Sequence, residues 1–134
     1  MALEGPPGEE KKVGDIMQED VISVNFNTPV SEVIKIMKGE GISGLVVVDL
    51  IGEVVGVVST LDVFKTFMSK TKVDSLVAED IMTPYIINVV PEDSIFNAAS
   101  IMLENNIHRL VVVVSPSRRR PIGIVTATDV INNI

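Results

Sequence analysis

Two stretches of this chain place a hydroxyl and a carboxylate three residues apart, behind a glycine and two aliphatic residues. They are Gly56-Val57-Val58-Ser59-Thr60-Leu61-Asp62 and Gly123-Ile124-Val125-Thr126-Ala127-Thr128-Asp129. The aliphatic part reads as the end of a strand, and the hydroxyl residue reads as the start of a helix. A helix N-terminus leaves N–H groups free, which suits a phosphate. A carboxylate has two acceptor oxygens and can take both hydroxyls of a ribose. The same spacing also serves the helix alone. Ser or Thr at the N-cap with Asp three residues on is close to a capping box, with Asp in place of Glu, and a first-turn carboxylate complements the helix dipole.

A second group is His108-Arg109, which stands just before the run Leu110-Val111-Val112-Val113-Val114. Arginine offers a planar donor fork and histidine a second donor, the combination that grips an anion. The plainer reading is an exposed turn residue beside a solvated charge. Arg118-Arg119-Arg120 reads as a solvated hairpin tip, or else as an added phosphate contact or a docking patch for an acidic partner. Without interleaved aromatics it is weak evidence for nucleic acid. Met17, Met37, Met82 and Met102 read as core filler, and Asp49, Asp74 and Glu9-Glu10 as solvated surface.

Composition closes several other routes. The chain has 134 residues, 11 Lys and Arg against 18 Asp and Glu, and a net charge of −7. That sign disfavours nonspecific binding to nucleic acid or to an anionic membrane. A phosphorylated ligand would need a local positive pocket against it. One histidine and no cysteine argue against disulfides, thiol chemistry and an all-protein zinc site, and are compatible with a cytoplasmic location. A Ser-His-Asp arrangement would have to use His108, and no serine sits in a nucleophile elbow, so the chain does not read as an enzyme. The N-terminus lacks the apolar core of a signal peptide, and the aliphatic runs are too short to span a bilayer.

The elements that carry these residues come twice. Asp15-Ile16-Met17 returns as Asp80-Ile81-Met82, an offset of 65 that holds without a gap through Leu45-Val46-Val47-Val48 and Leu110-Val111-Val112-Val113. Beyond the long strand the offset is 67, the two extra residues falling in a loop from Ser115 to Pro121. The organisation is a tail at 1–12, a first repeat at 13–69, a polar linker at 70–78 and a second repeat at 79–134. Each repeat opens on an extended piece, Val21-Ile22-Ser23-Val24 or Ile86-Ile87-Asn88-Val89. A helix follows, with Thr28 as N-cap and Pro29 as first residue. Its apolar stripe is Val30, Val33, Ile34 and Met37, and Ile95, Ala98, Ala99 and Met102 in the second copy. Gly39 and Gly41, or Asn105 and Asn106, end it. An all-aliphatic strand comes next, of the kind buried on both faces. A turn at Gly52-Glu53 leads to Val54–Val58, matched by Ile122–Val125, and a helix from Ser59 or Thr126 closes the unit. The fold class is α+β (mixed α/β), a tandem repeat of two β-α-β-β-α units. A repeat of this size is marginal alone, so the two should share a core.

This order, met twice, resembles the cystathionine β-synthase (CBS) domain, and the pair resembles a Bateman module over nearly all of the chain after residue 12. Ile107-His108-Arg109-Leu110-Val111-Val112-Val113 is similar to a segment of the gamma subunits of AMP-activated protein kinase. The resemblance implies two clefts between the halves, adenosine-containing ligands and disc-shaped dimers of modules. It implies ribose binding by Asp62 and Asp129, and phosphate contacts from His108, Arg109, Ser59, Thr126 and Thr128. By that analogy the better site combines Asp62 with His108 and Arg109. Ser43-Gly44 replaces the His-Arg pair in the first repeat, and Leu61 stands where Thr128 offers a hydroxyl. A cleft built on Asp129 would then be empty or take a ligand of little charge, such as S-adenosylmethionine. The expected function is a regulatory sensor of AMP, ADP or ATP, homodimeric, with no metal and no catalytic residue. The chain is expected to carry no effector domain of its own, so a partner protein would read the output. The rival is a dimerisation and docking module without a ligand.

Overall fold

The computed structural model describes residues 11–84 and 87–134. It is α+β, and it resolves into two compact units, one spanning Ile22–Ile86 and the other joining the residues up to Val21 to Ile87–Ile134.

In the first unit, β1 (Ser23–Asn25), α2 (Val30–Glu40), β2 (Gly44–Val48), β3 (Val54–Ser59), α3 (Thr60–Met68), a 3-10 turn (Val73–Ser75), α4 (Ala78–Ile81) and β4 (Thr83–Pro84) follow in order. The strands lie β1-β2-β3-β4. β1 runs parallel to β2, β2 antiparallel to β3, and β3 antiparallel to β4. A parallel pair needs a crossover, which α2 supplies. All four aliphatic residues of β2 are buried, as an all-aliphatic run requires. β3 alternates buried and half-buried residues, the period of a strand with one face on the core. Val24, Val33, Leu45, Val47, Val58 and Ala78 form that core.

The second unit repeats the plan. It holds α1 (Val13–Ile16), β5 (Asn88–Val89), α5 (Ile95–Asn105), β6 (Arg109–Ser115), β7 (Arg118–Thr126) and α6 (Ala127–Ile131). The sheet order is β5-β6-β7, with β5 parallel and β7 antiparallel to β6. Leu110, Val111, Val112 and Val113 are buried together with Val13, Val89, Ile95, Ala98, Met102, Val125 and Val130.

The opening turn of each sequence repeat belongs to the unit of the other repeat. Ala78 N–H donates to Thr28 O at 2.8 Å and Glu79 N–H to Phe26 O at 2.9 Å. Val13 N–H donates in the same way to Asp93 O at 2.8 Å and Gly14 N–H to Pro91 O at 2.9 Å. The methionines that end these turns lie over the motif glycines. A Cβ added at Gly56 would stand 2.5 Å from Met82 Sδ, and one at Gly123 2.5 Å from Met17 Sδ. The glycines are therefore places of close approach, and these two methionines are the groups that approach.

Several local expectations change. Pro29, not Thr28, is the N-cap of α2, whose first residue is Val30; Thr28 instead lends its carbonyl to Ala78. Gly41 and Asn106 end their helices in the left-handed conformation, with φ of 63° and 52°, whereas Gly39 and Asn105 lie inside them. The loop expected from Ser115 to Pro121 is a tight hairpin whose strands pair as far as Ser115 and Arg118, so the two extra residues lengthen the ladder. The three arginines accordingly lie in β7, and Arg119 folds back to the Asn88 side-chain oxygen, which accepts from its Nε at 2.9 Å. Asp49 is half-buried and holds a turn, its Oδ1 accepting from Ile51 N–H at 3.0 Å and Glu53 N–H at 2.9 Å. Gly52 completes that turn with φ of 87°, which a side chain disfavours. Residues 1–10 of the expected tail, with Glu9-Glu10, and Ile86 of the second extended piece lie outside the described residues, whereas the last two tail residues are held: Lys11 O accepts from Ile95 N–H at 2.9 Å and Lys12 is bridged to Ser94.

Candidate functional site

Both motif stretches form strand-to-helix turns. Ser59 is the N-cap of α3 and Thr126 that of α6, each in extended conformation, and each turn closes a capping box with the aspartate three residues on. Here the capping reading holds in full: the Ser59 and Asp62 main chains and side chains satisfy each other, as do those of Thr126 and Asp129.

Asp62 is engaged on both oxygens. Its Oδ2 accepts from Ser59 N–H at 2.8 Å and Ser59 Oγ–H at 3.0 Å, and its Oδ1 accepts from Thr83 Oγ1–H at 3.1 Å. The residue is 7% exposed. Beside it Thr66 Oγ1–H donates to the Asp62 carbonyl at 3.0 Å. Lys65, Thr66, Ser69, Thr71, Leu76, Asp80 and Ile81 join Asp62 around an open depression of about 360 Å³. Ser43 and Gly44 stand at the start of β2, where Gly44 is in register with Ser59 and Ser43 O accepts from Thr60 N–H at 3.0 Å.

Asp129 is half-buried and more loosely held. Its Oδ2 accepts from Thr126 N–H at 2.9 Å, and Gln18 Nε2 reaches Oδ2 at 3.3 Å and Oδ1 at 3.5 Å. The Gln18 backbone is bridged to Ile124 in both directions, at 2.8 and 2.9 Å, so its place beside β7 is set by main chain. Across the ladder Arg109 is in register with Thr126, and His108 O accepts from Ala127 N–H at 2.7 Å. His108 and Arg109 are exposed, as is Thr128 in the first turn of α6.

The structure thus gathers Thr126, Thr128, Asp129, His108 and Arg109 at one end of the β6–β7 ladder. Ser59 and Asp62 belong to the other unit, where the matching ladder end carries Ser43 and Gly44. The expected partnership of Asp62 with His108 and Arg109 draws on residues of two units. Thr83 and Gln18 were not anticipated as site residues. They stand at the same offset of 65, each directly after Asp-Ile-Met, which was a usable signal obscured by their different side chains. Among the described residues no cluster of three or more His, Cys, Asp or Glu is arranged to hold a metal ion, and no helix is long and apolar enough to cross a membrane.

Comparison with known proteins bears on the family and the fold. The CBS domain model matches twice, at residues 13–69 and 77–134. Inosine-5'-monophosphate dehydrogenase of Methanocaldococcus jannaschii is 33% identical over 121 residues, which are 90% of this chain and 23% of that enzyme. An uncharacterized protein of the same organism, MJ1232, is 33% identical over 92% of this chain and 39% of its own length. The chain therefore spans well under half of these curated relatives. Among solved structures, the CBS domain pair of protein MJ0100, in complex with 5'-methylthioadenosine and S-adenosyl-L-methionine, superposes with a TM-score of 0.78 at 30% identity, covering 91% of this chain and 94% of that one. CBSX2, a CBS-pair protein of Arabidopsis thaliana, in complex with AMP, gives a TM-score of 0.75 at 30% identity, with the same coverages of 91% and 94%. With both repeats matched and the fold shared over 91% of its length, this chain belongs to the CBS domain family, as a tandem pair.

Proposed function

We propose that this CBS pair is a regulatory, non-catalytic module of the cytoplasm that binds an adenine nucleotide, AMP, ADP or ATP, and acts through a partner protein. The observation that carries the reading is the register of Arg109 with Thr126. It supports the reading by setting Arg109 opposite the turn that carries Thr126, Thr128 and Asp129, with His108 O accepting from Ala127 N–H at 2.7 Å. In this acidic chain these residues would supply the local anion site that a phosphate needs. The phosphate would meet Arg109, His108, Thr126 and Thr128, and the ribose Asp129. AMP bound to CBSX2, and S-adenosyl-L-methionine and 5'-methylthioadenosine bound to the MJ0100 pair, support an adenosine ligand. A bound nucleotide would shift the module between arrangements only by its differential affinity for them.

A homodimer goes with this reading. Leu61, Phe64, Phe67 and Met68 leave an exposed apolar surface on α3, a helix of nine residues, which is the kind of face a second copy covers.

Thermal unfolding with AMP, ADP, ATP and S-adenosylmethionine, on the wild type and Arg109→Ala, tests the proposal. A ligand at a hundred times its Kd stabilises by about 2.7 kcal/mol, or on the order of 5–10 °C here. A saturable shift that Arg109→Ala weakens is expected with a phosphorylated nucleotide. A shift with S-adenosylmethionine alone would move the assignment to that ligand class, and no shift with any of them would favour the docking module.

A further inference from the structure

We infer that the tip of the β6–β7 hairpin is a docking surface for an acidic, carboxylate-rich segment of a partner protein, gripped by Arg118 and Arg120. The inference deepens the partner-protein part of the reading above by giving the partner's chemistry, and it stands apart from the nucleotide.

All four arginines of this chain, Arg109, Arg118, Arg119 and Arg120, lie on β6 and β7. Three of them fall together at the tip, where Ser115 is in register with Arg118 and only Pro116 and Ser117 make the turn. Arg109 stands at the opposite end of the ladder, and the 7 residues of β6 put it about 20 Å away. The tip is therefore no part of the β7–α6 turn. Along β7 the side chains alternate: Arg118 and Arg120 are exposed and Arg119 is half-buried. Arg119 is engaged, its Nε and a terminal nitrogen donating to the Asn88 side-chain oxygen at 2.9 and 3.2 Å, which ties the hairpin to β5. The tight turn and that tie hold Arg118 and Arg120 on one face, about 7 Å apart, the spacing of alternate side chains in an extended peptide. The equivalent hairpin of the first unit ends in Asp49-Leu50-Ile51-Gly52-Glu53, with no basic residue.

In a chain of net charge −7 the tip is a local patch of the opposite sign. At physiological salt charges beyond about 8 Å are largely screened, so an approaching segment meets the patch rather than the net charge. Guanidinium forks match carboxylates and phosphates alike, and the surroundings decide between them. No aromatic residue lies between His108 and Thr128 to stack a base. A phosphodiester backbone also carries charge along its whole length across an acidic surface, whereas an acidic segment need present only the carboxylates that meet the two arginines. Pro121 offers no N–H to an added strand, so the segment is held by side chains rather than as a further strand of the sheet.

Fluorescence anisotropy on the full chain, with a fluorescein-labelled peptide of alternating Glu and Ser, tests this directly. Saturable binding is expected, and none to the same peptide with Gln in place of Glu. Arg118→Ala with Arg120→Ala should weaken binding by about fivefold or more, the loss of two charged pairs. Lys35→Ala with Lys38→Ala removes the same charge from the exposed side of α2 and should change Kd by less than about twofold. The tip variant should stay folded, with an unfolding midpoint within about 2 °C of wild type, because both side chains are at the surface. Folded wild type that does not bind the Glu peptide, or binding that the tip variant retains in full, would overturn the proposal. Oligothymidylate bound more tightly than the peptide, through the same two arginines, would overturn it in favour of a nucleic acid. Thermal unfolding with AMP on the same preparation keeps the two readings distinguishable. Peptide binding without an AMP shift sustains the docking surface and removes the sensor, and an AMP shift without peptide binding does the reverse.

Discussion

The β3–α3 turn and the β7–α6 turn share one motif and differ in what surrounds it. In the first, Thr83 completes the shell of a nearly buried Asp62, and the neighbouring ladder end is Ser43-Gly44. In the second, Gln18 makes long contacts to a half-buried Asp129, and the ladder end is His108-Arg109. Both carboxylates cap a helix. The difference teaches that one capping motif can sit in unlike surroundings, because the residues that contact its carboxylate come from elsewhere in the chain.

The largest expected difference between the two turns is at their glycines. Gly56→Ala puts a Cβ 2.5 Å from Met82 Sδ and 2.8 Å from Thr83 O, and the second contact is main chain held by the β3–β4 pairing. Gly123→Ala meets Met17 Sδ at 2.5 Å but the Gln18 carbonyl only at 3.2 Å. A thioether can swing aside and a strand carbonyl cannot, so urea unfolding should show a loss of about 3 kcal/mol for Gly56→Ala and about 1–2 for Gly123→Ala. Equal losses would mean that the two opening turns are held alike.

Next come the aspartates. Asp62→Ala removes a nearly buried carboxylate and leaves the half-buried Ser59 N–H and hydroxyl and the exposed Thr83 hydroxyl to find new partners, for a loss of about 2 kcal/mol, whereas Asp129→Ala should lose about 1 kcal/mol, a capping contribution. Denaturant midpoints at constant m-value decide this, and a larger loss at Asp129 would reverse the contrast. The smallest contrast is between the donors. Thr83→Val should destabilise by about 1 kcal/mol and Gln18→Ala by less than about 0.5, because long, exposed hydrogen bonds contribute little.

Much of the architecture was legible in the chain. The offset repeat, the aliphatic runs of β2 and β6, and the stripe of Val30 and Val33 follow from periodicity, because burial on one or both faces leaves a pattern in the residue order. Ser59 and Thr126 were readable as caps for the same reason, since an N-cap needs a short side-chain acceptor beside its own main chain. What escaped was local and competitive. Thr28 satisfies the usual preference for an N-cap, yet its carbonyl is drawn to Ala78 and the helix starts after Pro29. Asp49 looked like a surface charge until the hairpin turned two N–H groups onto it. The triple arginine looked like a loop because a hairpin can lengthen without any signal beyond its ends.

The candidate site divides along the same line. The hydroxyls, carboxylates and cations were recognisable as types, and their motif spacing is short enough for the chain itself to place Ser59 against Asp62 and Thr126 against Asp129. The residues that make the two turns unequal are distant in sequence: Thr83 is 21 residues from Asp62, and Gln18 is 111 residues from Asp129. The amino-acid order by itself determined the repeat, the strand and helix periods and the capping boxes, all of which are contacts between near neighbours. Only the tertiary structure decided which opening turn packs on which sheet, and hence which carboxylate is closed, because that choice depends on a main-chain bridge and a methionine-on-glycine contact between segments that no local pattern connects.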